Sequence, residues 1–174
     1  SVSHVLVRFM VEPFQRILEP KAGFLQAVRD VTRKHGIPLI FDEIVTGFRF
    51  AYGGAQEYYG VTPDLCALGK IVGGGFPLAA VAGRADIMAH FDKGAVESGH
   101  HTPQSGTLNG NPVAATAGLA TLEVLRRPGT YEHLFATGTH LKTGLEHLLR
   151  RARIPAVVLG APPLFDVVFA EGPI

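Results

Sequence analysis

The chain has 174 residues, 47% hydrophobic and 18% charged, with a formal net charge of +1. That length suits about one domain with a real core, and so near-neutral a balance gives no electrostatic case for a nucleic-acid or anionic-membrane partner. The single cysteine, Cys66, excludes an internal disulfide; nothing approaches the roughly 20 apolar residues of a membrane span, and no basic start leads into an apolar core, so a reducing, cytoplasmic setting is the expectation.

Val5 to Val11 is apolar at nearly every position and reads as a central strand of a parallel sheet, buried on both faces and ending at Glu12-Pro13. Phe24, Leu25, Ala27, Val28 and Val31 then fall at helical spacing. A helix is predicted over Gly23 to His35, with Arg33-Lys34-His35 suiting its C-terminal dipole and Gly36 as its cap. Ile37 to Phe41 is a second buried strand, ending at Asp42-Glu43, and completes a right-handed strand–helix–strand unit.

Thr46 to Arg49 is a turn, Gly54 to Gly60 a short helix, and Leu65 to Leu68 a third strand that stops at Gly69-Lys70. Cys66, inside that run, reads as a small core residue. Leu78 to Val81 is a fourth strand; the Gly73-Gly74-Gly75-Phe76-Pro77 connection is too short for a parallel crossover, so it should run antiparallel. Ala85 to Phe91 reads as helix, and Lys93 to Gly110 as a long polar loop of the kind that carries function. Pro112, at the first helical position after Asn111, opens a helix through Leu125. Pro128-Gly129 breaks the pattern before an amphipathic helix, Thr130 to Arg153, and two strands of a different sheet, Val157 to Leu159 and Leu164 to Phe169. The pattern is α/β, with a domain junction near Pro128 that divides 1–127 from 128–174. Starting and ending on strand-like runs, the chain is expected to be an internal piece of a longer protein.

Three parallel strands thus end, in order, at Glu12, Asp42 and Lys70, and the carboxyl edge of an open α/β sheet is where ligands bind. A lysine among glycines at that edge, if partly withdrawn from water, is more often the free amine that attacks a carbonyl to make a Schiff base. The bland alternative is a solvated lysine in a flexible loop. A phosphate-binding P-loop fails because Asp64 holds its first glycine position and Ile71 follows Lys70; the dinucleotide fingerprint fails at Leu78. Asp42, Glu43 and His100-His101 show no metal-ligand spacing. A cofactor that takes a lysine on its aldehyde and an acid on its ring nitrogen fits best, and pyridoxal phosphate is such a cofactor.

At this point the letters resemble a family. Glu12-Pro13, the run Phe41-Asp42-Glu43-Ile44-Val45-Thr46-Gly47-Phe48-Arg49, and Pro63-Asp64 through Gly69-Lys70 to Leu78 are similar to class III pyridoxal-phosphate aminotransferases, in spacing as well as identity. Ala51 to Asp64 and Gly106 to Pro112 look like the glutamate-semialdehyde aminomutase branch of that class. The resemblance covers roughly Val5 to Leu125. It implies the fold-type-I large domain, a mostly parallel sheet with one antiparallel strand and helices on both faces, followed by the start of a small α+β domain.

It also implies roles. Lys70 would hold pyridoxal phosphate and move the substrate proton, and Asp42 would keep the pyridine nitrogen protonated. Thr107, beside Gly106, would reach the cofactor phosphate of the neighbouring subunit in a homodimer, or else cap the loop before Pro112. Glu12 would order the site, or be a strand-end carboxylate satisfied by nearby backbone. Glu43 would support Asp42 from behind, and Arg49 would pair with a substrate carboxylate or make a structural salt bridge. The implied activity is amino transfer from an amino acid or amine to a keto acid. An intramolecular aminomutase and a cofactor-binding relative without turnover are the alternatives.

Two positions depart from the pattern. Ile17 stands where the aminomutase branch has an asparagine, and Val45 where many class III transaminases have a glutamine, so the cofactor's phenol oxygen has no evident donor here. The loop from Val96 to Ser105, with His100-His101, is also longer than the aminomutase loop. The glycine-rich phosphate loop and the ring-stacking aromatic residue are not found within these residues.

Overall fold

The computed structural model describes residues 8–14, 17–97 and 99–170. The chain runs through β1 (Phe9–Val11), α1 (Phe24–Lys34), β2 (Leu39–Glu43), α2 (Gly54–Tyr59), β3 (Leu65–Leu68), β4 (Ala80–Gly83), α3 (Ala85–Met88), α4 (Pro112–Leu125), α5 (Thr130–Ala152), β5 (Ala156–Ala161) and β6 (Leu164–Phe169). The four-stranded sheet has the order β1-β2-β3-β4. β1 and β2 are parallel, as are β2 and β3, with Phe41 opposite Cys66 and Asp42 opposite Ala67. β4 is antiparallel to β3, as the short glycine connection requires.

Several predicted bounds move, each for a local reason. The start of the first predicted strand, Val5 to Val7, lies outside the described residues; β1 itself is not buried on both faces, because it is the edge strand of the described sheet and Met10 is half exposed. β2 begins at Leu39 rather than Ile37, since the Ile37 amide is spent closing α1 on the Thr32 carbonyl and Pro38 has no amide to give. Asp42 and Glu43 are therefore the last two residues of the strand, not its sequel. β4 starts at Ala80 because Leu78 is held in the preceding turn, its amide on the Phe76 carbonyl. The helix expected over Ala85 to Phe91 is α3 followed by a 3-10 turn, Ala89–Phe91. α4 spans the residues expected, with Asn111 Oδ1 accepting from the amides of Val113 and Ala114 and Pro112 in the first turn.

One core lies between α1 and the sheet: Leu25, Leu39, Phe41, Val61 and Cys66, with Val11, Val28 and Leu68 against it. Full burial of side chains such as Leu39 and Phe41 is worth about 1.5–3 kcal/mol each. Cys66 is buried there, and burial pushes its thiol up, as suits a core residue. The inward face of α1 is Leu25, Val28, Arg29 and Thr32, whereas Phe24 and Val31 of the predicted stripe point to solvent.

A second cluster, Phe14, Phe50 and Ala161 with Ile17, Tyr59, Phe135 and Leu164, joins the sheet's loops to α5 and the β5–β6 hairpin. The hairpin is a separate antiparallel sheet, as expected. The Tyr131 hydroxyl donates to the Phe48 carbonyl at 3.0 Å; burial, with the charge of Glu57 and Tyr52 adding, pushes this phenol up to about 12. No helix among the described residues is long and apolar enough to cross a membrane.

Candidate active site

Alternation along β2 sets the division of labour at its end. Leu39, Phe41 and Glu43 point into the buried face, while Ile40 and Asp42 point to the other. Asp42 is half-buried; its Oδ1 accepts from the Ile44 amide at 3.1 Å, and its Oδ2 accepts no hydrogen bond among the described residues. Its register partner is Ala67 on β3, and Lys70 follows three residues further on, about 10 Å at the rise of a strand.

Lys70 is exposed, so the expected partial withdrawal from water is not seen among the described residues. It opens a 3-10 turn, Lys70–Gly73, with φ at +47°. A lysine in the left-handed region is held against its own preference, at a cost on the order of 1–3 kcal/mol. Ile44, 37% exposed, lies across Gly69: a Cβ placed on Gly69 would be 3.3 Å from Ile44 Cγ2. Asp42, Ile44, Gly69 and Lys70 thus form one continuous edge. A cavity of about 780 Å³ is lined by Ile44, Ala67, Phe91, Leu108 and Asn109 among others; of that edge it is Ile44 that lines it, and Asp42 and Lys70 do not.

The turn bearing Lys70 is seated on α4. A Cβ on Gly118 would stand 2.6 Å from the Val72 carbonyl oxygen, and a Cβ on Gly74, at φ +57°, would clash with the Thr121 hydroxyl. Only residues without side chains allow so close an approach.

Glu43 is fully buried and belongs to the scaffold rather than to Asp42. Its Oε2 accepts from the Ala55 amide at 2.6 Å and from Thr46 Oγ1 at 3.2 Å, and its Oε1 accepts from Gln56 Nε2 at 3.0 Å. It therefore fills the orphan donors at the start of α2. Arg49 is structural too: Nε donates to the Val45 carbonyl at 2.8 Å and Nη1 to the Pro163 carbonyl at 3.4 Å, tying the turn after β2 to the hairpin, and burial pushes its guanidinium below its ordinary value. Val45 contributes that carbonyl; its side chain is half-buried and offers no donor.

Glu12 is exposed just past β1. Gly106 and Thr107 lie on an exposed turn, closed by the Asn109 amide on the Gly106 carbonyl, that leads to the Asn111 cap. Ile17 faces the second core. His100 accepts on its carbonyl from His90 Nδ1 at 2.8 Å, closing the loop before it. Among the described residues no three histidine, cysteine, aspartate or glutamate side chains gather as a metal centre needs.

Sequence reasoning missed Ile44 at the site, although its place two residues after Asp42 was open to reading. It also missed Asp64, a buried carboxylate at the opposite end of the strands that joins Arg29, Arg84 and the first amide of β2.

The sequence model of one family, described as Aminotransferase class-III, matches residues 7–162. Among solved structures, an omega-transaminase from Sphaerobacter thermophilus is 40% identical with a TM-score of 0.86 over 95% of this chain. A beta-phenylalanine aminotransferase from Variovorax paradoxus is 33% identical with a TM-score of 0.82 over 95% of the chain. A transaminase with PLP bound is 32% identical with a TM-score of 0.83 over 94%. In each case the chain spans 38% of the length of the other protein.

Proposed function

The chain belongs to the class III aminotransferases, and from that premise we propose that it carries the lysine and the acid of a pyridoxal-phosphate-dependent transfer of an amino group from an amino acid or amine to a keto acid. The observation that carries the reading is the continuous edge of Asp42, Ile44, Gly69 and Lys70 at the ends of β2 and β3. These residues fit the cofactor: Asp42 has an oxygen open to a ring N–H, Ile44 offers apolar surface to a ring face, and Lys70 presents an amine in open space. Bound there, the cofactor supplies an aldehyde for the amine and a ring that accepts electrons.

The chain's own residues then have distinct tasks. Lys70 Nζ would hold the cofactor at its aldehyde and, as a free amine, would serve as the base for the proton on the substrate carbon that bears the amino group. The Asp42 carboxylate would accept from the ring nitrogen and keep its proton in place through a charge-assisted bond, and Ile44 would offer apolar surface beside it. Thr107, on its exposed turn, is free to serve the phosphate site of a second subunit in a homodimer, and residues 128–174 are read as the opening of the small domain.

The names of the relatives favour donors whose amino group is not α to the carboxylate, such as a β-amino acid. The mutase-like stretches, Ala51 to Asp64 and Gly106 to Pro112, build α2, the approach to β3 and the approach to α4. The first of them is scaffold, so that part of the likeness carries no preference for the mutase reaction. Ping-pong kinetics with a β-amino acid or ω-amine donor and a keto-acid acceptor is the expected result. Efficient conversion of glutamate semialdehyde alone, with no acceptor added, would instead establish the intramolecular mutase.

A further inference from the structure

The turn that carries Lys70 is a four-residue 3-10 turn, Lys70–Gly73, bounded by the Val72 amide on the Gly69 carbonyl at 3.3 Å and the Gly74 amide on the Ile71 carbonyl at 3.0 Å. Lys70 sits in it at φ +47°, a conformation that persists only where the surroundings over-determine it.

The neighbour that does so is α4. Ala114, Ala117, Gly118 and Thr121 recur at three and four residues and so share one face of the helix. Ala114 and Gly118 are its buried residues. Near the C-terminal end of the turn, a Cβ on Gly118 would come within 2.6 Å of the Val72 carbonyl oxygen and 2.8 Å of Leu78 Cδ2. At the same end, Gly74 lies so close to α4 that a Cβ on it would clash with Thr121 Oγ1, itself fixed on the Ala117 carbonyl at 2.9 Å, and would stand 2.8 Å from that carbonyl oxygen.

We infer that α4 is the template for the Lys70 turn: Gly118 and Thr121 are positioning residues that hold Val72 and Gly74, and through them place the Lys70 amine relative to Asp42. The inference rests on the reading of Lys70 as the reacting amine. It gives the apolar, small-residue face of α4 a task in the chemistry although no α4 side chain touches the reacting atoms. It also joins the Thr107 turn, which leads into α4 through Asn111, to the Lys70 turn through one rigid element.

The test is amide exchange in the cofactor-free protein, followed by kinetics of the loaded enzyme. Gly118→Ala should speed exchange at Val72 and Gly74 by about tenfold or more and leave the amides of α4 from Ala115 to Leu125 protected. In the loaded enzyme kcat should fall on the order of tenfold to a hundredfold, as misplacement of a reacting group costs, with the donor KM little changed. Gly144→Ala, in α5 where a Cβ meets nothing, should move neither quantity. Should Gly118→Ala fail to fold, Thr121→Ala removes atoms instead of adding them and should speed exchange at Gly74 with α4 intact. Unchanged exchange at Val72 and Gly74 in the folded variants overturns the inference. So does full rescue of Gly118→Ala by Leu78→Ala, because that places the contact on Leu78 rather than on the Val72 backbone. The exchange arm needs no cofactor, so altered exchange in a protein that transfers no amino group refutes the proposed function and leaves the template standing.

Discussion

Arg29 Nη1 meets Asp64 Oδ2 at 2.8 Å, and that same oxygen takes the Leu39 amide, so one buried carboxylate joins α1 to the first residue of β2. Asp64 Oδ1 accepts from Arg84 at 3.1 Å and extends the tie to the end of β4. Burial works against the charged form of Asp64, but the Leu39 amide, Arg84 and Arg29 outweigh it and hold the carboxyl below its ordinary value. The stability it contributes is therefore complete above the ordinary carboxylate range near roughly pH 4 and is lost as pH falls through the lower folded value. Asp64→Asn should cost about 3–5 kcal/mol at pH 7, because the Arg29 side chain, 7% exposed, is left charged and unpaired. Denaturant melts at pH 7 and pH 3 check this: the unmodified protein should lose more stability between them than the variant.

Lys70 is the expected point of cofactor attachment. Borohydride treatment of the cofactor-loaded protein should leave the pyridoxyl mass on the peptide containing Lys70, and Lys70→Ala should abolish both the label and the visible absorption band. Label on Lys21, Lys34, Lys93 or Lys142 would overturn the assignment.

Asp42→Asn should separate attachment from turnover. The carboxamide keeps the shape and the bond from the Ile44 amide but cannot hold a pyridinium proton by charge. Labelling of Lys70 should persist while turnover falls by orders of magnitude. Near-normal turnover sinks the role given to Asp42.

Glu43→Gln should behave in the opposite way. The neutral side chain weakens the bonds to the Ala55 amide and to Gln56, and bonds to a charged group are worth about 1.5–3 kcal/mol each. A lower denaturation midpoint with unchanged Lys70 labelling is the expected pair of results. Loss of labelling in a stably folded variant would return Glu43 to the support of Asp42.

Much of the fold was legible wherever the cause was local. Asn111-Pro112 sets the start of α4 because cap and first turn are adjacent in sequence, and the glycine connection after Lys70 dictates the sense of β4. What could not be read depends on partners distant along the chain. Arg29 faces inward because Asp64 waits there, and nothing in the helical spacing of α1 says so. Glu43 and Asp42 are equivalent as neighbouring letters; only strand alternation, with α2 folding back onto one face, makes the first a scaffold residue and leaves the second open. Family analogy drew attention to Val45, whereas the side chain that spans toward Lys70 is that of Ile44. Ile17 looked like a gap at the site but is filled by the second core.

The strand order carries a consequence for how the molecule is assembled in time. Each strand of the larger sheet pairs with the next one in the chain, Phe9 with Leu39, Ile40 with Leu65 and Leu68 with Ala80, so pairing can advance in the direction of synthesis. The turn after β3 cannot be finished on that schedule, because Gly118 and Thr121 leave the ribosome long after Lys70 does. Chains stalled on the ribosome between β4 and α4 should accordingly show protected β2 and β3 amides and unprotected amides at Val72 and Gly74. The sheet comes first, and the reactive amine is set in place only when the helix that seats it arrives.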